Sequence, residues 1–167
     1  MERSQLIVIV MGVSGVGKTT IGQQLAADFG WQFIDGDDFH PEINIDKMRQ
    51  GIPLTDGDRL PWLIALQAAI ADWLTHHQNI VLACSALKAS YRTYLHVDHP
   101  EVHWVYLRGD KDLIRDRLKA RTHHFMSPAL LDSQFEALEV PKGAISVDIA
   151  NSPEAILQAI RTHLTKS

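Results

Sequence analysis

The chain has 167 residues, 46% apolar and 22% charged, with a formal net charge of −4. That is the size of one domain with a core of its own. No apolar run reaches the roughly 18 residues of a membrane span, and no Lys/Arg cluster provides a nucleic-acid footprint. The lone cysteine, Cys84, lies in an apolar run and has no partner for an internal disulfide, so a reducing cytoplasm is the expected setting.

The N-terminus carries one basic residue, one acidic residue and no small-residue cleavage site. It reads as the approach to a first strand rather than a signal peptide. "LIVIVM" (6–11) is a continuous, β-branched apolar run, the pattern of a strand buried on both faces of a parallel sheet. A helix is expected from about Lys18 to Phe29. "WQFID" (31–35) is a short second strand, "NIVLAC" (79–84) a third, "VHWVYL" (102–107) a fourth and "AISVDI" (144–149) a fifth. In the fifth, Ile145, Val147 and Ile149 alternate with Ser146 and Asp148, which predicts one wetter face.

Between strands, Leu63, Leu66, Ile70, Trp73 and Leu74 form one apolar face of a helix from Arg59 to about His76. Leu113, Ile114 and Leu118 do the same between Asp110 and Arg121. Ser152-Pro153 reads as an N-cap followed by proline at the first helical position, with Ile156, Ile160 and Leu164 as the buried stripe. Strands alternating with helices predict an α/β fold, a parallel sheet wrapped by helices. Residues 36–58 and 122–143 break the alternation. In this architecture ligands bind among insertions at the carboxyl ends of strands.

"GVSGVGKT" (12–19) matches G-x-x-x-x-G-K-[ST] in full, after a strand and before a helix. Glycines let backbone N–H groups close on an anion, and the helix N-terminus adds partial positive charge. The expected ATP cradle is Gly12, Val13, Ser14, Gly15, Val16, Gly17, Lys18, Thr19 and Thr20. Lys18 can reach the β- and γ-phosphates, and the Thr19 hydroxyl suits Mg²⁺. No guanine-reading N-K-x-D occurs, and "NIVLAC" ends in Cys84-Ser85 without the acid of an ATP-driven machine.

"FIDGDDFHP" (33–41) supplies carboxylates just past the second strand, on the same side as the cradle. Phosphoryl transfer to an alcohol needs a group to accept the hydroxyl proton and a metal held on the phosphates. The base role is given to Asp37 and a metal role, through water, to Asp35; the alternative is ordinary turn chemistry. Arg117 and Arg121 lie four apart on one helix face, where like charges repel unless an anion sits between them. With the flap "THHFMSPALL" (122–131) they would close over the γ-phosphate and exclude water. The alternative is a solvated face relieved by Asp112 and Asp116. His123 and His124 lack a third ligand at metal spacing, and flap surface or substrate contact is preferred.

Together, "MGVSGVGKT", "FIDGDDFHP", "NIDKMRQGIPLTDGDRLPWL" (44–63), "CSALKASYR" (84–92), "VYLRGD" (105–110) and "HFMSPALLDSQFEALEVP" (124–141) resemble the gluconate kinases, small P-loop kinases related in fold to shikimate and adenylate kinases. The resemblance runs through nearly the whole chain. It implies one P-loop kinase domain over 1–167, a three-layer sandwich on a five-stranded parallel sheet of order 2-3-1-4-5. It also implies a substrate insertion at about 36–58, a lid at about 122–131 and commonly a homodimer. The implied reaction is ATP- and Mg²⁺-dependent phosphorylation of D-gluconate at the 6-hydroxyl. Val16 stands where the family often has serine, and Phe39 where it often has leucine.

A polyol carrying one carboxylate needs hydroxyl partners and a cation. Candidates for substrate contact are Asp37, His40, Asn44, Lys47, Arg49, Arg59, Ser85, Lys88, Arg92 and His124, with Arg59, Lys88 and Arg92 leading for the carboxylate. "PWL" (61–63) reads as packing rather than a sugar platform. By fold analogy the loop Ala150 to Pro153 contributes to the adenine site. The alternatives are a kinase for a related sugar acid or a shikimate-like alcohol, and an ATP-sensing domain without turnover.

Overall fold

The computed structural model describes residues 6–120 and 128–165. Five short strands carry the core: β1 (Ile7–Met11), β2 (Gln32–Asp35), β3 (Ile80–Ala83), β4 (Val102–Arg108) and β5 (Ile145–Asp148). All pair in parallel, in the order β2-β3-β1-β4-β5. This is the expected order, with β1 at the centre and fully buried.

Side-chain alternation along the strands divides the core in two. Val8, Val10, Val81, Val105, Leu107 and Val147 face one layer, formed by α1 (Lys18–Phe29), α5 (Lys111–Ala120), α6 (Pro128–Ala137) and α7 (Pro153–Thr165). Ile7, Ile9, Met11, Ile80, Leu82, Trp104 and Tyr106 face the other, formed by α3 (Asp56–Thr75) and α4 (Ala89–Tyr94). Burying both faces explains why the strands read as continuous apolar runs.

Three helices have no counterpart in the sequence reading. One is α2 (Glu42–Arg49), which buries only Asn44. The others are α4, of six residues, and α6, which occupies much of the segment expected to be irregular. The sequence places the start of α3 at Arg59; it begins three residues earlier. Thr55 Oγ1 accepts from the Asp58 N–H while the Asp58 carboxylate accepts from the Thr55 N–H, a complete capping box. The α7 start follows expectation: Ser152 Oγ accepts from the Ala155 N–H, and Pro153 opens the helix.

Candidate active site

The phosphate loop leaves β1 at the sheet centre. Gly12 has φ +149°, and a Cβ there would lie 2.8 Å from the Leu107 carbonyl oxygen, so only glycine lets the loop pass this close to β4. Val13 and Val16 are buried beneath the loop, which leaves their backbone as the part available to a ligand. Helix α1 opens from Gly17 with no side-chain cap, so its first N–H groups are not spent on a capping side chain, as an anion site requires. Lys18 Nζ donates to the Gly12 and Val13 carbonyls at 2.9 and 3.0 Å, folded back over the loop. Thr19 and Thr20 are exposed at the mouth. These residues fit a triphosphate.

The acidic turn follows β2 as a single 3-10 turn, Gly36–Phe39. Asp35 Oδ1 accepts from the Asp37 N–H at 2.9 Å and fixes the turn. Gly36 is pressed against β3: a Cβ there would sit 2.6 Å from the Ala83 carbonyl oxygen. Its own carbonyl accepts from Trp62 Nε1 at 2.8 Å. Burial raises the pKa of Asp35, helped by Asp37 and Asp38 and opposed by the Asp37 N–H and Lys18. The Asp37 side chain is 69% open to water and is only partly desolvated by its neighbours. That desolvation raises its pKa, and Lys18 opposes it. Both acids therefore feel the charge of Lys18. No group of three or more His, Cys, Asp or Glu residues forms a metal cage among the described residues. A Mg²⁺ bound mainly by phosphates, water, Thr19 and one carboxylate fits this donor set.

His40 stacks on Trp62 at 4.3 Å, and its Nδ1 lies 3.2 Å from Asn44 Nδ2. Burial, with Arg59 nearby, lowers its pKa to about 4. It is a neutral ring whose Nε2 lies 4.0 Å from Asp37. Trp62 is buried, a packing residue.

At the start of α3, which Trp62 and Asn44 tie to this turn, is a cavity of about 240 Å³, lined by Pro53, Leu54, Thr55, Asp56, Arg59, Lys88, Ser133 and Ala137. Arg59 donates to the Leu54 carbonyl and to Tyr91 Oη. Lys88 pairs with Asp56 at 3.0 Å, and Tyr91 Oη donates to the same carboxylate at 2.5 Å. Two cations against one carboxylate leave one positive charge toward the cavity. Asp56, Tyr91 and Ser133 are absent from the sequence-based candidates. Asp56 and Tyr91 lie 35 positions apart, and the fold brings them together.

Several candidates take other positions. Arg92 is 5% exposed. Its guanidinium donates to the Ala86, Leu87 and Glu139 carbonyls, tying α4 to the segment after α6, so it is committed to the framework. Asn44 is buried, and its amide donates to the Asp58 carbonyl beside His40. Lys47 pairs with Asp58 at 2.9 Å and buttresses the α3 cap. Arg49 is 77% exposed near Asp46. Ser85 approaches the cradle through its backbone, its carbonyl accepting from the Gly12 N–H at 3.4 Å. Arg117 Nη2 donates to the Ile149 carbonyl at 2.9 Å, which directs it to the end of β5, where the adenine loop is expected. Arg121, His124 and residues 122–127 of the expected flap lie outside the described residues; 128–131 form the first turn of α6.

Residues 14–142 match the family model described as shikimate kinase. The chain is 49% identical over 160 residues to the thermosensitive gluconokinase of Escherichia coli (strain K12), an alignment covering 91% of this chain and 86% of that protein. It is 43% identical over 162 residues to the gluconokinase of Gluconobacter oxydans (strain 621H), covering 93% and 89%. The crystal structure of a gluconokinase from Sinorhizobium meliloti 1021 superimposes with a TM-score of 0.86 at 41% identity, covering 99% of this chain and 94% of that one.

Proposed function

The chain belongs to the gluconokinase family of P-loop kinases, and on that premise we propose that it transfers the γ-phosphoryl group of ATP to the 6-hydroxyl of D-gluconate. The observation that carries this reading is the continuity of three parts. Lys18 of the phosphate cradle acts electrostatically on Asp35 and Asp37 of the acidic turn, and Trp62 and Asn44 tie that turn to α3, whose Asp56 and Arg59 line a cavity with one uncompensated positive charge.

Gly12–Thr20 cradle the donor phosphates, with Lys18 exchanging its loop carbonyls for phosphate oxygens. Mg²⁺, when bound, neutralises charge on the β- and γ-phosphates, and Thr19 and Asp35 are the residues to hold it. In the cavity, Arg59 and Lys88 meet the carboxylate of the sugar acid, Arg59 being able to offer two parallel donors. Asp56 and Tyr91 hold those cations apart, and Ser133, Thr55 and neutral His40 offer hydroxyl partners. Asp37 accepts the proton of the attacking hydroxyl. Its raised pKa improves it as a base provided it remains ionised at neutral pH. We assign Arg117 to the adenine end of the site, on its bond to Ile149. The buried Cys84, its thiol pushed to about 12, suits a reducing cytoplasm, and a homodimer is the assembly to test by sedimentation.

The test is a coupled assay with ATP, Mg²⁺ and gluconate. Production of ADP and 6-phosphogluconate in equal amounts supports the reading. Turnover of another sugar acid or of shikimate, with gluconate inert, moves the substrate claim to that acceptor.

A further inference from the structure

Helix α6 places consecutive side chains on the two halves of the site. Ser133 lines the cavity that holds Arg59 and Lys88. Gln134, turned about 100° around the helix, reaches the phosphate loop. Its Oε1 accepts from the Ser14 N–H at 2.7 Å, and its Nε2 donates to Ser14 Oγ at 3.1 Å. The neutral amide accepts from the backbone N–H and donates to the hydroxyl; a carboxylate there would instead accept from both and add a negative charge at the phosphate loop.

The helix is also held from outside. Asp132 pairs with Lys111 at 2.6 Å, and Lys111 lies over the Phe135 ring. Just beyond the helix, the Glu139 N–H donates to the Leu87 carbonyl and Glu139 Oε1 accepts from the Ala89 N–H. Those bonds flank Lys88, so movement of α6 shifts a cavity cation and the phosphate loop together.

We propose that Gln134 is a positioning residue that couples the acceptor cavity to the phosphate loop. An acid seated against Ser133 and Lys88 fixes α6, α6 fixes Gln134, and Gln134 sets the curvature of the loop at Ser14. Each substrate then tightens the other by the same factor, as linkage requires. This rests on the kinase reading above.

The experiment measures the dissociation constant of a non-hydrolysable ATP analogue with Mg²⁺, without and with saturating gluconate, by calorimetry. Subjects are the wild-type chain, Gln134→Ala, Gln134→Glu and Ser14→Ala, with kcat and both KM values alongside. The wild type is expected to bind the analogue about fivefold or more tightly with gluconate present. In Gln134→Ala that factor falls to near one. Ser14→Ala, which loses the Nε2–Oγ bond and keeps the one to the backbone N–H, falls between; Gln134→Glu keeps both contacts, with the Ser14 hydroxyl donating, and its added charge weakens analogue binding with and without gluconate. An unchanged factor in Gln134→Ala overturns the proposal, as does a wild type that phosphorylates gluconate without coupling. If Gln134→Ala does not fold, an unchanged factor in Ser14→Ala overturns it. A wild type that binds the analogue but phosphorylates no gluconate overturns the kinase reading instead.

Discussion

His40 shows how a single side chain records its surroundings. Its pKa is about 4 when folded, against 6.5 ordinarily, so the unfolded chain binds more protons between those values. Stability from this group is complete above about pH 6.5 and is lost as pH falls toward 4, on the order of 3 kcal/mol at most and less once solvent screening is counted. Asp35 and Asp37, with raised pKa values, act in the opposite sense on acidification. Comparison with His40→Gln isolates the histidine: its urea midpoint is expected to depend less on pH between 6.5 and 4.5 than that of the wild type. Equal slopes would place the ring in a more solvated setting. At the same scale, Arg59 and Arg92 were indistinguishable in the sequence, both being cations in the substrate blocks. Burial separates them. Arg92→Ala strands three carbonyls and is expected to lose about 3 kcal/mol of stability in denaturant titration. Arg59→Ala is expected to raise the gluconate KM by tenfold or more with a smaller effect on stability. The reverse pattern would exchange their roles. Lys18 and Asp37 were legible because a phosphate loop and an acidic turn are local in sequence; Lys88 was legible as a cation, but its pairing with Asp56 was not, Asp56 lying over 30 positions from both Lys88 and Tyr91.

The elements that sequence periodicity reveals are those that bury a regular stripe. α5 and α7 do so and sit within a residue or two of their expected bounds, while α1, placed by the glycines before it, spans Lys18–Phe29 as expected. α2 and α4 are too short to show a period, and α2 holds its place through Asn44 and Lys47 rather than an apolar face. α6 was concealed because its first turn, 128–131, falls within the segment read as a flap. The 3-10 turn is the element on which the chemistry depends most. It is clamped from below by β3, from the side by Trp62, and internally by Asp35. Gly36→Ala is expected to push this turn off the Ala83 carbonyl and carry Asp37 with it. We expect kcat to fall at least tenfold, since small misplacements of a reacting group are costly, while the KM for ATP changes less. Retention of full kcat would show that the turn tolerates displacement.

For the whole molecule, the alternation of strands and helices sufficed to predict a parallel sheet. The strand order came with the family resemblance, and the structure has it. That order sets β1 between β3 and β4, so the donor loop emerges at the centre. The acids follow β2 at the sheet edge, and Trp62 ties their turn to α3, which with Lys88 and α6 lines the cavity. The central claim is that these parts form one phosphotransfer site in which Asp37 serves the acceptor hydroxyl. Its most direct test follows ATP, Mg²⁺ and gluconate by phosphorus NMR for the wild type and Asp37→Asn, with analogue binding measured on both. The account predicts one 6-phosphogluconate per ADP in the wild type. In Asp37→Asn it predicts kcat reduced by about 10²–10⁴ with analogue binding preserved. Wild-type rates in Asp37→Asn, or ADP formed with inorganic phosphate and no phosphorylated gluconate, would contradict it.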